Sequence, residues 1–307
     1  MAGGSIVNFE GIGKLAGPAE KLIERVSDGI GVLYEPTRIR RKAKAEADAK
    51  ETEARKEIEM DRLLVQAQPG NKDLARRALI RFVQEETKAQ QNMEDVLQGA
   101  TRYLNADAEP DKIDDDWLTH FFDRCRTVSN KQMQDLWSRI LAGEANQAGA
   151  FSKRTVEFVS TVSKRDAEQF TRLCRHVWAI HGHAVPLILD ADSPLCTANE
   201  IFFPTLSSLE LLGLIHFNNL TGFVFRQLPE VVRVSYCGDA FQLTIPGSHG
   251  VQKGKLKVGK ALFSPMGLEL FRVIQTHGLQ GMVSHVLEHW VLKGYSPASS
   301  WPKDNAG

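Results

Sequence analysis

Four helix-start signals in succession, each followed by an apolar face, occupy the stretch from Asp114 to Trp178 and leave a helical bundle as the natural outcome for the centre of the chain. Asp114-Asp115-Asp116 stands ahead of Trp117, Leu118, Phe121, Phe122 and Cys125, which share one helix face. Acidic side chains favour that position because they meet the positive end of the helix dipole. Ser129 and Gln132 have the spacing of a capping box before Met133, Leu136, Trp137, Ile140 and Leu141, and Gly143 is expected to stop that helix. Ser152 is placed to cap a helix carrying Val156, Phe158, Val159 and Val162. Ser163 with Asp166 marks the next, which carries Ala167, Phe170, Leu173, Val177 and Trp178. Short joints between these helices predict one compact unit with Trp117, Phe121, Trp137 and Phe158 in its core.

Upstream, Ala75, Leu79, Phe82, Glu86, Ala89, Met93, Val96 and Ala100 recur at alternating steps of four and three. That is the 3.5-residue period of a coiled-coil seam or a long bundle helix. Two readings stay open: packing within the chain, and self-association through Leu79, Phe82, Met93 and Val96, which implies a homo-oligomer. Before it, residues 18–34 carry apolar side chains at helical spacing, though Gly29 and Gly31 each cost about 1 kcal/mol relative to alanine, so this short amphipathic helix needs a partner or a surface. Between the two, Arg38, Arg40, Arg41, Lys42 and Lys44 form a basic run that can meet an anionic lipid surface, a nucleic acid or a protein, or simply be solvated.

Beyond Gly182 the pattern changes to short β-type runs punctuated by proline. Leu206, Leu209 and Leu212 predict a helix directly before Leu214-Ile215-His216-Phe217, and Asn218 to Thr221 predicts a turn into Gly222-Phe223-Val224-Phe225. A helix followed by a β-hairpin is the elementary pattern of a winged helix. Lys253, Lys255, Lys257 and Lys260 read as a basic loop among glycines, and two further helices are expected at 265–276 and 279–292. The expected organisation is mainly α: a helical N-terminal region over 1–70, helices over 71–182, a winged-helix-like α+β domain over 183–295 and a polar tail over 296–307.

With 307 residues the chain can bury two cores without a disulfide or metal staple. Its 38 basic and 38 acidic residues cancel, so net charge gives no whole-chain argument for a nucleic-acid or membrane partner. Four dispersed cysteines, with no C-x-x-C pair, read as reduced thiols, and a cytoplasmic location with peripheral membrane contact left open is the expectation. Cys174, His176, His181 and His183 offer zinc-type ligands, but at a spacing that defines no standard site. Consecutive helix residues point about 100° apart, so Asp114, Asp115 and Asp116 cannot converge on one ion. No P-loop, G-x-S-x-G or H-E-x-x-H motif is present, and no catalytic, cofactor-binding or metal-binding residue is assigned.

Lys21 to Val26 with Leu33-Tyr34-Glu35-Pro36-Thr37-Arg38-Ile39-Arg40-Arg41-Lys42-Ala43, Ile113 to Leu118, Phe121-Phe122-Asp123, Met133 to Trp137, Ile140 to Glu144, Phe151 to Thr155 and Lys164 to Glu168 resemble the signature of domain-of-unknown-function family 2806, found in bacteria and prophages. In outline, Leu206 to Ile215 followed by Leu262-Phe263-Ser264-Pro265-Met266-Gly267-Leu268-Glu269-Leu270 is also similar to the abortive-infection alpha family. The second resemblance implies a role in the contest between bacteria and phages; together with the apolar seam and the lack of a catalytic motif, the expectation is a non-enzymatic anti-phage defence protein that self-associates and recognises a protein partner, a phage-derived one among the candidates. The alternatives are a winged-helix DNA-binding regulator and a membrane-surface effector.

Overall fold

The computed structural model describes residues 17–30, 72–246 and 254–298. The chain divides into two compact units, residues 1–160 and 161–307. Among the described residues the first is helical and the second mixes helices with antiparallel sheet.

In the first unit, α1 (Gly17–Ile30) buries Leu22, Ile23 and Val26 as their spacing requires. Its partner is α3 (Asp115–Cys125). Gly29 earns its place by proximity, since a Cβ there would lie 2.9 Å from Leu118 Cδ2. Arg25 fastens the pair by donating to the Ile113 carbonyl at 2.6 Å and to the Asp115 carboxylate. At the start of α3 the Asp114 side chain accepts from Trp117 N at 2.8 Å, the expected cap. Trp117 stacks on Phe121, which meets Phe122 and Trp137 edge-on. Phe158, expected in this cluster, is only partly buried.

Helix α4 (Lys131–Asn146) departs from expectation at both ends. Asn130 caps it rather than Ser129, because its side-chain oxygen reaches both Gln132 N and Met133 N. Gly143 does not end it. The helix runs on to Asn146, and the missing Cβ makes room for Phe151, whose Cε2 would lie 2.5 Å from one. Glu144 follows, buried, with its two oxygens accepting from Gly149 N and Phe151 N at 2.6 and 2.9 Å. That carboxylate closes the loop into α5 (Lys153–Thr161), where Ser152 Oγ accepts from Thr155 N as expected.

The second unit opens with α6 (Lys164–Cys174), capped by Ser163 as its spacing with Asp166 foretells. This helix clusters with the sheet, not with the bundle to which the sequence pattern assigned it. Strands β1 (Val177–Ile180) and β2 (His183–Pro186) pair through His181-Gly182. Helices α7 (Pro194–Ala198) and α8 (Phe203–Leu211) follow, then β3 (Ile215–Phe217), β4 (Phe223–Leu228), β5 (Val231–Tyr236), β6 (Asp239–Thr244), β7 (Gly254–Gly259) and β8 (Ala261–Phe263). Helices α9 (Pro265–Phe271) and α10 (Met282–Leu292) precede β9 (Ser296–Ala298), a strand within the segment expected to be a polar tail. The antiparallel sheet has the order β2-β1-β5-β6-β9. Both of its tight hairpins turn on an X-Gly pair with positive φ at each residue, His181-Gly182 and Cys237-Gly238, the backbone of a type I′ turn. Trp178 of β1 packs on Tyr236 and Trp290, joining α10 to the sheet.

The β3–β4 hairpin expected for a winged helix does not form as a ladder. Strand β3 pairs with β8, and β4 pairs with β7. Asn218 N donates to Lys260 O, so the chain stays on one partner while residues 218–222 bulge outward instead of reversing direction. The two ladders make one interrupted ribbon enclosing β5 and β6. Of the expected basic loop, Lys253 lies outside the described residues, whereas Lys255 and Lys257 point outward from β7, where Leu256 and Val258 are buried.

Candidate interaction surfaces

Helix α2 (Lys72–Ala100) has two contrasting halves. No side chain from Asp73 to Lys88 is buried, whereas Ala89, Asn92, Val96, Leu97, Gly99 and Ala100 are. At 1.5 Å per residue the exposed part is a segment of about 24 Å. It carries Leu74, Ile80, Phe82 and Val83 in solvent, with Phe82 59% exposed. The four proposed seam residues therefore separate. Val96 is fully buried inside its own unit and Met93 partly so, which corrects their assignment to an intermolecular seam; Leu79 is half-buried and Phe82 exposed. Strict a/d spacing missed Leu74, Ile80 and Val83. Their signal was the widening of the stripe by apolar neighbours one residue away from Ala75, Leu79 and Phe82.

A polar layer marks where the helix enters the bundle. Glu86 pairs with Arg126, and Asn92 Nδ2 donates to the Arg126 carbonyl at 2.8 Å. Gln134 Nε2 of α4 donates to Asn92 Oδ1 and to the Val128 carbonyl, and Ser138 Oγ donates to Val96 O at 2.9 Å. Gly99 lies directly against Ser138, where a Cβ would collide with its hydroxyl. Buried hydrogen bonds of this kind tie α2 to one register on α4, because any slip would strand polar groups away from water.

The histidine and cysteine group does not assemble. His176 is buried, with Nδ1 beside Arg172 O at 3.2 Å, while His181 and His183 are exposed on the β1–β2 hairpin. Burial, with Arg175 and His285 nearby, lowers the His176 pKa to about 4, although the Arg172 carbonyl opposes this. Burial also pushes the Cys125, Cys174 and Cys196 thiols up, against the thiolate form that binds metal. Among the described residues no three metal-type ligands come together. Asp114, Asp115 and Asp116 have separate tasks: capping, pairing with Arg25, and a 3.8 Å contact with Lys153.

Arg38, Arg40, Arg41, Lys42 and Lys44 lie outside the described residues. Docking of the preceding amphipathic helix on lipid would need Leu22, Val26 and Leu33 at the membrane; Leu22 and Val26 are fully buried within the protein, and Leu33 lies outside the described residues. Among the described residues no helix is long and apolar enough to cross a membrane. A cleft of about 340 Å³ between α6 and α8 is lined by Arg165, Glu168, Gln169, Arg172, Glu200 and Ser208 among others. Its Arg172 and Glu200 neutralise each other in an ion pair.

The family described as Protein of unknown function (DUF2806) matches residues 76–286. The chain belongs to this family. The DUF2806 match starts within the exposed part of α2 and ends inside α10, so it takes in both the bundle and the sheet, with α1 and β9 beyond its limits. No curated protein and no solved structure matches the chain. The comparisons do not extend to the abortive-infection alpha resemblance.

Proposed function

We propose that this DUF2806 protein acts by assembly, without catalysis of its own, and that two copies associate through the exposed part of α2. The observation that carries the proposal is the concentration of Leu74, Ile80, Phe82 and Val83 on a helical segment with no buried side chain. At about 100° per residue Phe82, Leu79 and Val83 share one side of the helix with Ile80 on its flank, and an apolar side of this kind favours a partner. The segment's charges select a second copy. Arg76 and Arg77 precede Phe82, and Glu85, held only by an exposed 3.5 Å contact with Arg81 of its own helix, follows it, while Glu86 is committed to Arg126. An antiparallel pair crossing near Phe82 sets the basic end of each helix against the acidic end of the other, as a two-fold axis requires. The likeness to the abortive-infection alpha family supplies the setting for this assembly, a bacterial or prophage defence role in which the oligomer recognises a protein partner.

Light scattering on the wild type and on a Phe82→Asp, Val83→Asp variant tests the assembly. A wild-type mass that is a multiple of the 34.2 kDa chain, falling to one chain in a variant whose circular dichroism spectrum is unchanged, is the expected result. A wild type that stays monomeric at high concentration, or a variant of unchanged mass, overturns it. In phage-challenged cells the same variant is expected to lose any protection that the wild type confers.

A further inference from the structure

The β4–β7 ribbon concentrates positive charge in a chain whose total is zero. Arg226 of β4 lies directly opposite Lys255 of β7, and Lys257 follows on the same face. All three are exposed, and among the described residues none is in an ion pair with a carboxylate. Like charges directly opposite each other weaken a β-ladder. The inward face is conventional by contrast, with Phe225 set against a buried Leu256. The far edge of β7 is held by Tyr295, whose hydroxyl donates to Lys255 O at 3.1 Å and accepts from Lys257 N at 3.4 Å. Lys260, just past the strand, is turned to Asn219 Oδ1 and does not belong to the set.

We propose that this ribbon is a contact site for the phosphate backbone of duplex DNA, with Arg226, Lys255 and Lys257 as the phosphate-binding residues. A polyanion converts their mutual repulsion into shared attraction. Side chains two apart on a strand stand about 6.8 Å from each other, a spacing that lets Lys255 and Lys257 address successive phosphates. A two-stranded ribbon fits the major groove of B-form DNA, whereas the deep, narrow major groove of A-form RNA excludes it. The contact is assigned to phosphates, which fix position on the duplex without reading its sequence. Val224, opposite Lys257, is the apolar residue beside them. This site is independent of the assembly assigned to α2.

Fluorescence anisotropy of the full chain with a short labelled DNA duplex at low salt tests the site. A variant with Arg226→Gln, Lys255→Gln and Lys257→Gln is expected to bind at least about tenfold more weakly, with a log affinity against log salt slope shallower by about 2.7, three phosphate contacts at 0.9 each. The positions are exposed, and a circular dichroism melt shared with the wild type establishes that the variant is folded. Lys255→Arg, which keeps the charge, is expected to bind as the wild type does. No DNA binding by the wild type overturns the proposal. So does binding that survives the triple change but is lost on Arg40→Glu with Arg41→Glu. Equal affinity for an RNA duplex, or binding to anionic vesicles but not to DNA, overturns it as well.

Discussion

The two halves of α2 obey one sequence rule and meet opposite fates. Both repeat apolar residues every 3.5 positions, yet the half that includes Val96 and Ala100 is buried against α4 while the half that includes Leu79 and Phe82 stands clear of the bundle. What separates them is the company of other residue types. The buried half has Gly99 against Ser138, and Asn92 bonded to Gln134, so the backbones approach closely and polar groups find partners. The exposed half has Arg76, Arg77 and Arg81 among its apolar residues and meets the bundle at its end through the Glu86–Arg126 ion pair. Periodicity reports that a face is apolar; it does not report which molecule covers it.

The contrast is broken most forcefully by a charge placed in each half. Val96→Asp puts an uncompensated carboxylate in a dry site and is expected to cost about 3–5 kcal/mol, enough to unfold many domains. Phe82→Asp alone is expected to change the unfolding free energy of the single chain by no more than about 0.5 kcal/mol, as for most exposed positions. Equal losses of melting temperature for the two variants would erase the distinction between the halves.

Acid offers a way to weaken the other unit while leaving α2 alone. His176 has a folded-state pKa of about 4, below the ordinary histidine value, so the unfolded chain binds more protons between about pH 6.5 and 4 and stability falls as the pH falls through that window. From pH 7 to 5 the loss is expected to be about 2 kcal/mol, and His176→Phe should abolish most of it in urea titrations at the two pH values. Association through the exposed half of α2, followed by light scattering at pH 5, should persist. A modest effect belongs to the boundary between the halves. Glu86→Gln removes a half-exposed ion pair with Arg126 and is expected to cost no more than about 1 kcal/mol, measured as a shift of the urea midpoint.

The bundle was legible because each helix announces itself locally. Asp114, Ser152 and Ser163 cap where their spacing says they should, and Trp117, Phe121 and Trp137 meet in one core. Local signals failed where a distant partner decides the outcome. Gly143 reads as a stop, and only the ring of Phe151 explains why the helix continues through it. Val177 and Trp178 read as the end of a helix, but the His181-Gly182 turn makes them the start of β1. Lys255 and Lys257 read as loop until the alternation with Leu256 and Val258 is counted. Of the proposed surface residues, the sequence pointed to Leu79 and Phe82 but carried the same seam into the interior at Val96. The expected β3–β4 hairpin failed for a related reason, since strand pairing across a long separation leaves no local trace in Asn218 to Thr221.

That long-range pairing has a consequence for the order of folding. The hairpins β1–β2 and β5–β6 each close over two residues, so they need little loss of chain entropy to form. The ribbon that encloses β5 and β6 must bring Ile215 to Phe263 and cannot be completed until the intervening chain is gathered in. Contacts between residues so distant in sequence slow the search for the native state. The second unit should therefore assemble from its inner hairpins outward, with Ser264 fixing the last closure by donating its hydroxyl to Gly213 O at 2.6 Å and accepting from Gly267 N.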